Sequence, residues 1–154
     1  MNTAMVVAFM NALAQLSGSN SLTGDGRELP SQLNSSVEFS TEKGSDENTW
    51  NLKWIRDRED STIVQENRVL RVENDVVYWD AYSLNDAVTI DETSQGVLSF
   101  HYNYKTFDHP GVDYQVEITF RKTMQNRVTF SRNWTGNLVN LSSDSFAVWP
   151  HLLY

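Results

Sequence analysis

GVLSFHYNYKTFDHPGVDYQVEITFRKTMQNRVTFSRNWT, residues 96–135, alternates apolar and polar side chains in three successive runs. Leu98, Phe100, Tyr102 and Tyr104 share one face of the first run, Tyr114, Val116, Ile118 and Phe120 one face of the second, and Val128, Phe130, Arg132 and Trp134 one face of the third. A period of two sustained over this length predicts β-strands with one face buried. The aromatic weight of that face suits a packed sheet or the wall of a ligand cavity. Turn formers fill the two breaks, residues 105–112 and 122–125, so the three strands read as an antiparallel meander.

Upstream, the same grammar continues. Val37 and Phe39 open a strand that stops at the polar run 42–48, and Trp50, Leu52 and Trp54 alternate through the next. Arg58-Glu59 connects it to a long segment over 62–72. Asn74-Asp75 between Leu70/Val72 and Val77/Trp79 has the spacing of a two-residue hairpin turn. Val88 and Ile90 mark a further short strand, and the tail from Leu138 to Trp149 adds another. Residues 17–36 are rich in Ser, Gly, Asn and Asp, with Gly24-Asp25-Gly26 and Leu29-Pro30-Ser31 as turn signals around one short strand. The expectation is an all-β, antiparallel up-and-down barrel of about eight strands, residues 17–154 forming one domain, with a β-sandwich as the alternative.

Two readings of residues 1–16 stand side by side. Met5, Val6, Phe9, Met10, Leu13 and Leu16 form one stripe of a helix stopped by Ser17-Gly18, which would dock on the sheet or close one end of a barrel. Alternatively, the apolar run through Ala12-Leu13-Ala14 resembles the remnant of a signal peptide, without the usual basic start. The second reading implies a periplasmic or secreted protein and the first a cytoplasmic one. In either case the run is too short for a transmembrane segment.

Composition limits the function classes. With 154 residues, 40% of them hydrophobic, the chain can bury a core without disulfides or metal. A net charge of −8 opposes attraction to nucleic acid and to anionic membranes. No cysteine is present, which removes thiolate chemistry. His101, His109 and His151 have no second ligand at metal spacing, the acidic clusters lack a calcium-loop pattern, and no glycine loop fits a phosphate; neither cofactor nor metal is expected. Asn34-Ser35-Ser36, Asn133-Trp134-Thr135 and Asn140-Leu141-Ser142 match the glycosylation acceptor at a frequency that chance explains.

A provisional register pairs Tyr104 with Tyr114, Tyr102 with Val116 and Phe100 with Ile118, then Ile118 with Phe130, Val116 with Arg132 and Tyr114 with Trp134. Arg132 thereby lands in the aromatic face. It would either hold the polar end of a ligand or, near the strand end, stack on Trp134 or Tyr114 and reach water or a carboxylate as a lid. On the other face His101 opposes Glu117 and Glu117 opposes Ser131. The carboxylate separates histidine from serine, the wrong order for a relay, and the surrounding Ser, Thr, Gln and Asn read as solvated sheet. No catalytic residue is assigned.

Val112-Asp113-Tyr114 at a strand start, followed by Arg132 late in the next strand, resembles the Thr-Asp-Tyr and terminal arginine motifs of the lipocalins. That resemblance implies an up-and-down barrel binding small apolar ligands. The family's Gly-x-Trp motif would fall at Gly18-Ser19-Asn20, where tryptophan is absent, so Trp134 or Trp50 would take its place against the arginine. The expected function is non-catalytic binding of a small hydrophobic or amphipathic molecule in a cavity lined by Phe100, Tyr102, Tyr104, Tyr114, Val116, Ile118, Phe130, Arg132 and Trp134. The alternative is a structural or protein-interaction module whose core is filled by its own side chains.

Overall fold

The alternation of residues 96–135 is realised as three long strands within one antiparallel sheet. In the computed structural model, which describes residues 3–18, 20–84, 88–90 and 96–151, the chain forms a helix, α1 (Thr3–Leu16), followed by β1 (Leu22–Leu29), β2 (Leu33–Lys43), β3 (Thr49–Arg58), β4 (Ile63–Glu73), β5 (Val76–Trp79), β6 (Tyr82–Ser83), β7 (Thr89–Ile90), β8 (Val97–Tyr104), β9 (Tyr114–Lys122), β10 (Val128–Gly136) and β11 (Val139–Trp149). The strand order is β6-β5-β4-β3-β2-β1-β11-β10-β9-β8-β7. One continuous sheet replaces the two of a sandwich, and the first and last long strands lie side by side. Side chains bring its two edges together: Trp79 packs on Phe100 at 5.1 Å between ring centroids, and Tyr82 stacks on Tyr102 at 4.4 Å. The result is a nearly closed barrel. Among the described residues there are eleven strands rather than about eight; β7 falls at the short strand marked by Val88 and Ile90, whereas β6 is a two-residue strand too short to show a period.

Gly24 and Gly26 explain a second difference. Instead of marking a turn, they lie within β1. A Cβ on Gly24 would collide with the Ala147 carbonyl, and one on Gly26 would meet the Arg56 guanidinium at 2.6 Å. Glycine here lets strands approach where the sheet curves. The turn follows at Pro30–Gln32, the Leu29–Pro30 bond being cis. Asn74-Asp75 forms the expected hairpin, both residues in the left-handed region (φ 52° and 62°) with Val72 opposite Val77.

The β8–β9 register is the expected one, with His101 opposite Glu117 and Tyr104 opposite Tyr114. The next ladder is two residues out of the expected step. Phe130 faces Phe120, Arg132 faces Ile118, Trp134 faces Val116, and Ser131 faces Thr119. The β9–β10 connection is longer than read: Thr123 N–H donates to Arg127 O at 2.9 Å and Asn126 takes φ 63°. A shift of two residues keeps every side chain on its face.

The inner face is a filled core. Phe39, Trp54, Trp79, Phe100, Phe120, Phe130 and Phe146 form a chain of ring contacts at 4.8–6.5 Å. The helix joins it through the buried Val6, Phe9, Met10 and Leu13. Its placement is fixed by polar contacts to one end of the barrel. Ser17 Oγ accepts from Thr41 N–H (2.9 Å), Trp50 Nε1–H donates to Asn11 Oδ1 (3.2 Å), and Thr3 donates to Asp75 (3.3 Å). Opposite this end, the β1–β2, β3–β4, β8–β9 and β10–β11 connections ring a mouth.

Candidate functional site

Towards the mouth, the inward positions of four strands switch from apolar to charged. β3 runs Trp50, Leu52, Trp54, Arg56; β4 presents Glu66 and Arg68 before Leu70; β10 runs Val128, Phe130, Arg132; β11 presents Asp144 before Phe146 and Val148. Barrel closure gathers these charges into one layer. Arg132 donates from Nε and Nη2 to the two oxygens of Asp144, both at 2.8 Å, and from Nη1 and Nη2 to Glu66 at 2.9 and 2.7 Å. Arg56 donates to Asp144 (2.8 Å) and to Ser145 O (3.1 Å). Arg68 bridges Glu66 (3.2 Å) and Asp80 (2.9 Å), and Asp80 also accepts from Val69 N–H.

Arg132 is thus a structural cross-tie. Four donor contacts to two carboxylates use most of a guanidinium's five N–H groups, which pairs Arg132 within the barrel wall. It sits mid-strand rather than near the strand end. Its guanidinium lies over Trp134 (5.0 Å), Phe130 (5.4 Å) and Trp54 (5.8 Å). Trp134 therefore takes the stacking position and Trp50 does not. Burial disfavours the charged arginine, but its hydrogen bonds to Glu66 and Asp144 and their charge outweigh that and raise its pKa. For Glu66, burial pushes upward and the hydrogen bonds and charge of Arg132 and Arg68 prevail, holding it below the ordinary carboxylate range.

Apart from Arg132, which lies in the charged layer, the eight other expected lining residues divide between two environments. Phe100, Val116, Ile118 and Phe130 are at most 1% exposed and belong to the core, so they border no water-sized space. Tyr102, Tyr104, Tyr114 and Trp134 are half-buried at the mouth, outside the charged layer from the core. Tyr104 stacks on Tyr114 (5.1 Å) and meets Trp134 edge-on (6.3 Å). With the Tyr82–Tyr102 stack they form an aromatic arc along one side of the mouth. Burial raises the Tyr102 pKa, keeping its hydroxyl protonated. Two buried N–H donors, Trp54 Nε1 and Arg68 Nε, have no acceptor among the described residues.

Sequence reasoning missed Arg56, Glu66, Arg68, Asp80, Tyr82 and Asp144. For four of these a signal existed: Arg56, Glu66, Arg68 and Asp144 occupy in-phase inward positions of alternating strands. Asp80 and Tyr82 follow β5 in a stretch without period. On the outer wall His101, Glu117 and Ser131 are exposed, and Ser131 is not opposite Glu117. Among the described residues no three His, Asp or Glu side chains converge as a metal site, and no helix is long and apolar enough to cross a membrane. A groove of about 510 Å3 on the outer wall, between Asp25, Glu38, Ile55, Asp57, Ile63 and Trp149, is open to solvent. Comparison with known protein families and with curated protein sequences finds no match to this chain.

Proposed function

We propose that this protein is a non-catalytic binder of a small, uncharged, partly apolar molecule held at the barrel mouth. The observation that carries the reading is the aromatic arc of the half-buried Tyr102, Tyr104, Tyr114 and Trp134, with the exposed Tyr82 stacked on Tyr102, standing on the charged layer. Half-buried rings offer flat apolar area, and tyrosine hydroxyls add polar contacts at their edges. The layer beneath is balanced, with Arg56, Arg68 and Arg132 against Glu66, Asp80 and Asp144. An anionic ligand therefore finds no net positive charge there, and a neutral planar one has no charge to desolvate.

Thermal unfolding against a panel of neutral planar aromatics, aliphatic amides and fatty acids tests the reading. The neutral planar members are expected to raise the midpoint, and Tyr102→Ala and Trp134→Ala to remove the rise. A panel without effect on the midpoint or on tryptophan fluorescence would sink it. A second reading, a structural or interaction module, is favoured by the complete filling of the barrel centre by Trp54, Phe100, Phe120 and Phe130. It expects no ligand-dependent shift at all.

A further inference from the structure

Exposed apolar side chains are unevenly distributed between the two ends of the barrel. Nine large ones are exposed among the described residues, and six of them, Leu29, Ile63, Phe107, Leu138, Val139 and Leu141, lie on or beside the turns that ring the mouth. At the helix end there is one, Met124. Phe107 and Leu138 are wholly in solvent, at 104% and 98% exposure. The turns carrying them are fixed to one another: Asn137 N–H donates to Asp113 O (3.0 Å), and Asp113 N–H to Asn137 Oδ1 (2.8 Å). Leu138 takes φ 70°, a backbone conformation that suits glycine and costs a leucine, yet its side chain packs on nothing.

We infer that the mouth docks onto a zwitterionic, phosphatidylcholine-type lipid surface, with Phe107 and Leu138 as the leading side chains. Charge complementarity selects this occupant. Glu59, Asp60 and Asp108 are exposed on the same turns and form no ion pair among the described residues. Anionic lipid would be repelled by them and by the net charge of −8. Phosphatidylcholine instead presents quaternary ammonium groups outermost, which carboxylates attract and aromatic rings such as those of the mouth bind by their faces. The apolar residues sit on separate turns with polar residues between them, so they offer no continuous apolar face of the roughly 800 Å2 per partner that a stable protein interface buries. Separate prongs suit a deformable interface into which each inserts on its own. This inference does not require the ligand proposed above.

Sedimentation of the full chain with phosphatidylcholine vesicles, with and without added phosphatidylserine, is the test. Binding to pure phosphatidylcholine is expected, weakened by phosphatidylserine at low salt and recovering as salt screens the repulsion. Phe107→Ser combined with Leu138→Gly should lower vesicle binding by about tenfold or more, whereas Met124→Ser at the opposite end should leave it unchanged. Glycine at 138 suits the turn, so loss of binding would not reflect loss of fold. Absence of vesicle binding, or equal binding by wild type and the double variant, overturns the inference. Concentration-dependent dimerisation abolished by the same pair would also overturn it, in favour of a second copy as the occupant.

Discussion

The helix end of the barrel and its mouth both meet the need to seal a core from water, but with different chemistry. At the helix end, Val6, Phe9, Met10 and Leu13 extend the apolar core outward, and a few hydrogen bonds orient the plug. At the mouth, a layer of three guanidinia and three carboxylates closes the core, and aromatic rings stand beyond it. An apolar plug gains by area and tolerates imperfect geometry. A charged layer holds only while every member is paired, because each ion has given up water. The mouth should therefore be the end more sensitive to single substitutions and to pH.

Asp144→Ala probes this difference with the largest expected effect. It leaves the buried Arg56 without its carboxylate and removes two of the four carboxylate contacts of Arg132, and a loss of about 3–5 kcal/mol in denaturant unfolding is expected. A loss below about 1 kcal/mol would show that water already screens the layer, and the contrast between the ends would fail. Leu13→Ala, fully buried at the helix end, is the counterpart. A truncated leucine there should cost about 2–4 kcal/mol. The two differ more clearly in salt: the Leu13 effect should be indifferent to ionic strength, and the partly exposed members of the charged layer should respond to it.

Acid provides the next comparison. The pKa of Glu66 is lowered in the folded protein, so its contribution to stability is fully present above the ordinary glutamate value of 4.5 and is lost as pH falls through the depressed one. Glu66→Gln should lower stability at neutral pH and flatten the decline below pH 4.5. Urea midpoints measured from neutral pH into the acid range read both effects. An unchanged acid slope in the variant would remove Glu66 from the account of acid sensitivity.

Much of the helix end was legible in the sequence, and less of the mouth. Val6, Phe9, Met10 and Leu13 recur at helical spacing, and Leu98, Phe120 and Val128 at strand spacing, so pattern alone assigns them inward. The faces of β8, β9 and β10 were equally readable, since the two-residue register error moved no side chain to the other side. What pattern cannot supply is long-range partnership. Arg132 and Glu66 are 66 residues apart and Arg56 and Asp144 are 88 apart. Their meeting depends on β1 pairing with β11, which no local period encodes. A charged residue in phase with a buried face was visible in four strands. Read together, those four imply a paired layer, because none could be buried alone.

Leu138→Gly carries the smallest stability effect and separates folding from use at the mouth. The Asn137-Leu138 pair occupies a two-residue turn with both residues at positive φ (50° and 70°), the conformation for which Asn-Gly is the favoured pair. Leucine is the strained choice, and its 98% exposure means that no packing offsets the strain. Glycine relieves it but adds freedom to the unfolded chain, so the net change should be small, within about 1 kcal/mol and towards greater stability. A thermal midpoint that rises or holds, together with weaker vesicle binding, would show that the turn gives up stability for an apolar tip at the mouth. A clear fall in the midpoint would instead make Leu138 a folding residue, and the apolar rim would lose its most exposed aliphatic member as evidence for docking.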